Sequence, residues 1–217
     1  MLISDERIIL RDFRESDIEK RIFWETVETE WQLWDAPWEY EDLSDEKKKK
    51  ELDDYIANMH TWVQKYDSMD DGEKRTTFQI CIKGENNNEE YIGWCSSYRI
   101  DDDCKISTSG DKCAIGIDIP QRDARGKGYA YNAMCLFIDY LLSNGETDIY
   151  TQTWSGNTRM IGLAKKLGFE EYKRKPDLRT VRGQKYDGLT FRLNLEFYQE
   201  SKQKQIEKQR STLSEER

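Results

Sequence analysis

The stretch Arg125-Gly126-Lys127-Gly128-Tyr129-Ala130 constrains this chain more than any other. A β-branched run at residues 114–119 precedes it, and an apolar helical pattern follows it towards Leu142. The chain must therefore pass from strand to helix through a turn opened by glycines. The first amides of a helix have no partner within it, and the helix dipole adds positive potential there. Glycines lack side chains, so an anion can approach that main chain closely. The corner suits a phosphate or pyrophosphate, and Arg125 and Lys127 promise mobile positive charge beside it. Two other nucleotide signatures fit less well. A dinucleotide turn needs a third glycine where this chain has Asn132-Ala133, and a P-loop needs Ser or Thr where it has Gly128. A plain connecting turn is the remaining alternative.

A second stretch narrows the choice. Residues 149–154 alternate and are rich in β-branched and aromatic side chains, which predicts a strand. Ser155-Gly156-Asn157-Thr158 supplies helix-start residues, and Met160, Ile161, Leu163, Ala164 and Leu167 form a helical apolar stripe. Gly168 stops that helix and Phe169 begins a new extended segment. Arg-x-x-Gly-x-Ala, followed in order by Asn157 and Gly168-Phe169, resembles the GNAT superfamily of N-acetyltransferases. The resemblance is carried by residues 113–169 and extends more loosely over residues 6–199.

It implies that Arg125, Gly126, Lys127, Gly128, Tyr129 and Ala130 hold the pyrophosphate of acetyl-CoA, the cosubstrate. It further implies that Ile117, Asp118 and Ile119 pair with the pantetheine arm, on a strand splayed from its neighbour. Asn157 either touches the same cosubstrate or serves only as a helix N-cap. One departure is visible. Many members carry a tyrosine four residues before the Gly of the Gly-Phe pair, thought to protonate the departing thiolate, and this chain has Ala164 there. The usual acid is absent, or another residue replaces it; Tyr129, Tyr131 and Tyr172 lie near the motifs in sequence.

Along the rest of the chain, residues 7–11 predict a first strand. Ser16-x-x-Glu19 predicts a capping box opening a helix to about Glu30, and Ser44 opens a second helix. Residues 76–83 and 90–100 read as a hairpin joined by Gly84-Glu85-Asn86-Asn87-Asn88. Residues 101–112 read as a polar loop, 170–174 as a sixth strand and 189–197 as the last, after a loop with Gly183 and Gly188. The expected fold is a single α+β domain over residues 1–200. Its sheet is mixed, mostly antiparallel and of about seven strands, with helices on both faces; the splayed central pair follows from the resemblance. The polar segment 201–217 is expected to be a tail, frayed or disordered, without chemistry.

The formal net charge of -9 argues against nonspecific nucleic-acid binding, which needs a basic face. It is compatible with a cationic acceptor and equally with acidity that serves only solubility. The five cysteines form no C-x-x-C pair and His60 is the lone histidine, so no metal site is expected. Cys81, Cys95 and Cys135 lie in apolar patterns and read as core residues. The odd cysteine count and the lack of a signal segment point to the cytoplasm. No apolar run approaches the length of a membrane span. His60 sits in a polar helical stretch and reads as a surface residue, which argues against a histidine-activated nucleophile.

The resemblance implies acetyl transfer from acetyl-CoA to an amine. Asp118 is the acidic side chain inside the strand before the corner. It is either a base facing the acceptor or a group that faces solvent or caps the turn at Pro120-Gln121; Glu25, Glu28 and Glu30 are alternatives as base. Trp31, Trp34 and Trp38 lie where similar proteins build an acceptor wall. With Glu28, Glu30 and Asp35 they could hold a cation, or they simply pack the helix junction. Residues 8–14 followed by an acidic helix are similar to the branch that acetylates ribosomal-protein N-termini, polyamines and aminoglycosides. The competing classes are a non-catalytic acyl-CoA-binding sensor or scaffold, and a nucleotide-binding protein unrelated to CoA. Similar proteins are frequently homodimers.

Overall fold

The computed structural model describes residues 1–41, 43–84 and 88–215. Among these, eight strands form one sheet, β1 (Leu2–Ser4), β2 (Ile8–Arg11), β3 (Thr77–Lys83), β4 (Glu89–Ile100), β5 (Lys112–Asp118), β6 (Ile149–Trp154), β7 (Phe169–Val181) and β8 (Gln184–Leu193), in the order β1-β2-β3-β4-β5-β6-β8-β7. The α-helices are α1 (Ile18–Thr26), α2 (Asp45–Ser68), α3 (Tyr129–Ser143), α4 (Thr158–Lys166) and α5 (Leu195–Glu215).

Neighbouring strands run antiparallel except β5 and β6, which are parallel because α3 carries the chain across between them. Their pairing is short, from Cys113↔Ile149 to Ile115↔Thr151. Beyond it Gly116, Ile117 and Asp118 stay paired to β4 only, and β6 continues along β8. The two strands part there, as the resemblance implied, and leave one side of the β5 main chain bare.

Two sets of helices cover the sheet. Phe78, Ile80 and Ile115 pack with Phe137, Ile138 and Leu141 of α3, Ala164 of α4 and Tyr198 of α5 in the main core. Trp24 of α1 packs with Trp31, Cys81, Tyr91 and Trp94 in a second cluster, and Phe13 with Met59 and Val63 of α2 in a third. All five cysteines are buried and free. His60 is exposed, 3.4 Å from Glu15. A register shift in β4 sets Ile80 opposite Gly93 and Cys81 opposite Tyr91. A Cβ at Gly93 would stand 2.1 Å from the Asp118 carbonyl oxygen, so glycine here lets the end of β5 lie tight against β4.

Several expectations need correction. The sheet has β1 in addition, a short strand whose Ile3 pairs with Leu10. Ser16 and Glu19 form no capping box. Ser16 lies inside a 3-10 turn, Glu15–Asp17, that precedes α1, and it is Asp17 that accepts from the Arg14 amide opening that turn (2.9 Å) and from both Arg11 Nη atoms (2.6 and 2.8 Å). The first helix stops at Thr26, and a 3-10 turn, Thr29–Leu33, follows. Ser44 does cap α2, its Oγ accepting from the Lys47 amide at 3.3 Å. The predicted turn at 84–88 falls partly outside the described residues.

Residues 195–197 are helical rather than extended, since the Asn194 side chain accepts from the Glu196 and Phe197 amides and starts α5. Arg182 and Gly183, both at positive φ, make the tight turn of the β7–β8 hairpin, and Gly188 lies within β8. Helix α5 runs through residue 201, where Ser201 Oγ donates to the Lys166 carbonyl at 2.7 Å. No helix among the described residues is long and apolar enough to cross a membrane.

Candidate active site

A cleft of about 700 Å³ opens where β5 and β6 part. Ile117, Asp118 and Ile119 line it, as do Arg125, Gly126, Gly128, Tyr129 and Ala130 at the corner, Asn157 on the α4 side, and Trp31 and Trp34. The structure thus gathers the sequence-predicted residues in one place. Lys127 stands apart: its side chain is exposed, and its carbonyl accepts from Arg7 Nη2 at 2.9 Å.

The corner is built for an anion. Gly126 and Gly128 adopt φ of 75° and 85°, a region that costs other residues strain. A Cβ at Gly126 would meet nothing within 4 Å and one at Gly128 only Arg7 Nη1 at 3.6 Å, so protein packing does not fill the space above them. The amides of residues 126–131 have no acceptor among the described residues, and Gly128 brings no side chain to cap α3. Bare N–H groups, the α3 dipole and open glycines together fit a diphosphate. Arg125 is not the mobile charge expected from sequence. Its Nε donates to the Ile119 carbonyl (2.8 Å) and its Nη2 to the Pro120 carbonyl (2.9 Å), while Nη1 is bound by Glu30.

The segment after α1 forms a strap over the cleft. The Trp34 carbonyl accepts from Trp154 Nε1 (2.8 Å) and from Asn157 Nδ2 (3.0 Å), and Asn157 Oδ1 accepts from the Met160 amide (3.0 Å). Asn157 is therefore an N-cap and a strap anchor at once. A Cβ on Gly156 would lie 1.8 Å from the Trp154 ring, so glycine lets that indole settle against the backbone. Farther along, Arg182 Nη2 donates to the Leu33 carbonyl (3.2 Å), and Arg179 stacks over Trp38 at 4.3 Å.

Trp31 is 6 % exposed; its Nε1 donates to the Trp24 carbonyl and its ring meets Trp94 edge-on at 5.3 Å. It is chiefly a core residue with one face towards the cleft. Trp34 is half-buried, its Nε1 donating to Glu30 at 2.8 Å and its ring beneath Arg159 at 4.0 Å. Glu28 and Glu30 are not free to hold a cation or act as base: Glu28 pairs with Arg122 (2.8 Å), and Glu30 with Arg125 and Arg159.

Deeper acidity comes from Asp118, Asp35 and Glu25. Crowding by protein raises Asp118 well above the usual carboxylate range, and repulsion from Asp35 and Glu25 adds to this, while Arg21 and the Trp94 indole pull the other way. Asp118 is half-buried and makes no capping bond to the turn; it lines the cleft at the end of β5. Asp35 is pushed up to about 6 by burial and by Glu39. Its side chain is exposed where it lines the cleft, so solvent weakens the burial contribution, while the nearby Glu39 charge still favours the upward direction. Burial also raises Glu25, against the pull of Arg21. Arg21 sits 3.0 Å over the Trp94 ring centroid, with Tyr55 and Tyr91 hydroxyls accepting at 2.8 and 2.9 Å.

Sequence reading missed Arg159, Gln152, Thr153 and Lys166, which also line the cleft. The two arising from β6 had a signal, since a strand that parts from its neighbour shows its side chains to the gap. Ala164 is wholly buried and offers no hydroxyl. Of the three tyrosines, Tyr131 lines the cleft but is buried with its OH 3.0 Å from Ser201 Oγ, Tyr129 lies under Arg7 at 4.7 Å, and Tyr172 stacks edge-on against Tyr150. Among the described residues, no group of His, Cys, Asp and Glu is arranged to hold a metal ion.

A sequence-family model described as an acetyltransferase (GNAT) domain matches residues 7–170. A GNAT-family acetyltransferase from Bacillus anthracis superposes with a TM-score of 0.60 at 15 % identity, covering 89 % of this chain and 98 % of that one. RimL, a ribosomal L7/L12 alpha-N-protein acetyltransferase solved in complex with coenzyme A, gives 0.59 at 14 %, covering 88 % and 97 %. The microcin C7 self-immunity acetyltransferase MccE, solved with acetyl-CoA and AMP, gives 0.60 at 14 %, covering 87 % and 92 %. No curated protein sequence matches this chain. With the family match spanning most of its length, and the parted strands and bare glycine corner in place, the chain belongs to the GNAT acetyltransferase family.

Proposed function

We propose that this protein is an N-acetyltransferase that moves the acetyl group of acetyl-CoA to a primary amine of a compact, positively charged acceptor by direct attack. The observation that carries the reading is continuity: one cleft runs from the bare amides of residues 126–131 along β5 to Asp118. The corner and α3 hold the diphosphate. The main chain of Gly116, Ile117 and Asp118, unpaired on the β6 side, holds the pantetheine arm and supplies donors to the thioester oxygen as charge develops there.

A primary amine with a pKa near 10.4 arrives protonated and must lose that proton before attack. Asp118, raised by its surroundings, accepts it directly or through water. Asp35 attracts the cation, and Trp34 walls it. Buried Ala164 offers the departing thiolate no proton, so the thiolate takes the one that the attacking nitrogen releases as the tetrahedral intermediate collapses, directly or through water. That gap also sustains a second reading, an acyl-CoA-binding module without turnover.

Release of free thiol from acetyl-CoA on addition of polyamines, aminoglycosides or basic N-terminal peptides tests the proposal. Turnover with one of these supports it; carrier binding without thiol release across the panel favours the module. A cytoplasmic setting and a homodimer remain part of the proposal, checked by fractionation and by light scattering. Gly128→Val tests the corner. The strain of a β-branched residue at positive φ and the blocked approach are expected to weaken acetyl-CoA binding by at least about tenfold in calorimetry, with the fold retained.

A further inference from the structure

Glu30 is the meeting point of the corner, α4 and the strap. One carboxylate oxygen binds Arg125 Nη1; the other lies 3.2 Å from Arg159 Nη2 and accepts from Trp34 Nε1 at 2.8 Å. Burial works against its charge, yet the Arg125 and Trp34 hydrogen bonds and both arginines hold it at about 2, so it is ionised throughout the working range. Arg125 and Arg159 both line the cleft that contains the bare amides. A diphosphate entering the corner therefore meets guanidinium groups already paired with a carboxylate.

We infer that Glu30 is an internal competitor for the diphosphate of the acyl carrier, a positioning residue that yields Arg125 and Arg159 on binding and so loosens Trp34 at the acceptor wall. The inference rests on the proposed acyl-CoA site. Like charges repel across the corner, so the carrier binds best when Glu30 swings from the arginines. Its displacement breaks the Trp34 indole bond and removes the anion beneath the Arg159–Trp34 stack. The same event that seats the carrier thus re-poses the strap residue facing the acceptor. A purely structural Glu30 would behave differently, because its loss would weaken carrier binding along with everything else.

Glu30→Gln keeps an acceptor oxygen for Trp34 and Arg159 while removing the charge. Calorimetry with acetyl-CoA is expected to show binding tightened by about three- to fivefold over wild type, and no change for S-acetylpantetheine, which lacks the diphosphate. Unchanged or weaker acetyl-CoA binding by the variant overturns the inference while leaving the proposed function standing. If wild type takes up no acetyl-CoA at all, both fall. A wild-type measurement guards against a misfolded variant: the Trp34 indole N–H resonance, assigned by its loss in Trp34→Phe, should shift with acetyl-CoA and not with S-acetylpantetheine. Identical spectra with the two ligands would overturn the coupling.

Discussion

Asp118→Asn is expected to lower turnover by roughly 10²- to 10³-fold, the usual worth of a positioned proton acceptor, with acetyl-CoA affinity unchanged. The substitution preserves shape and removes only the ability to take a proton at the end of β5. Its effect on stability has the opposite sign. The folded-state pKa of Asp118 is raised, so the fold favours the protonated form. Stability from this group is complete at low pH and is lost as pH rises through the folded value. At neutral pH, above the unfolded value, this group works against folding in a way that asparagine does not. The variant should therefore melt above wild type at pH 7, and the gap should shrink on acidification. Wild-type kcat/KM should fall as pH drops through about 6, where Asp35 takes up a proton and the cleft loses charge. Steady-state kinetics and melting curves across pH measure all of this; a variant that turns over like wild type removes Asp118 as the base.

Asp17→Ala is expected to cost about 3–5 kcal/mol of stability, because it strands the buried Arg11 guanidinium. The side chains of this pair are 4 % and 3 % exposed, and their two-point contact is short on both arms. Glu89 still reaches Arg11 Nε at 2.8 Å, but a single arm cannot replace the lost pair. For a chain of this size the melting temperature should drop by roughly 10 °C. The same pair fixes the entry into α1, which carries Arg21 and Glu25 towards Asp118. Acceptor KM should rise in the variant more than the carrier Kd, since the corner and α3 are built elsewhere. Thermal denaturation with both constants in hand checks this, and a loss under about 1 kcal/mol would mean Arg11 had found another partner.

The glycine corner was legible because its requirements are local. Positive φ, missing side chains and a helix start are written in adjacent residues, and the structure has each of them. The parting of β5 and β6 was legible only through resemblance, since nothing within 114–119 says where pairing with a strand beyond Ile149 will stop. The partners of Arg125 and Glu30 were hidden for a related reason. Both residues stood out as charges, but their pairing spans 95 positions, and no spacing rule reaches that far. Burial decided Trp31 against Trp34: both are tryptophans in one short segment, and only the packing of Trp94 and Trp24 turns one inward. The error at residues 195–197 came from reading apolar alternation past Asn194, whose side chain ends the strand by feeding the next helix.

The β7–β8 hairpin lies mostly beyond the family match, which ends at residue 170, yet its tip grips the strap through Arg179 and Arg182. On the proposed function, the acceptor wall is therefore braced in part by chain that lies outside the match. Exchanging residues at that exposed tip is then expected to alter which amine is modified, with any effect on the corner passing through the strap.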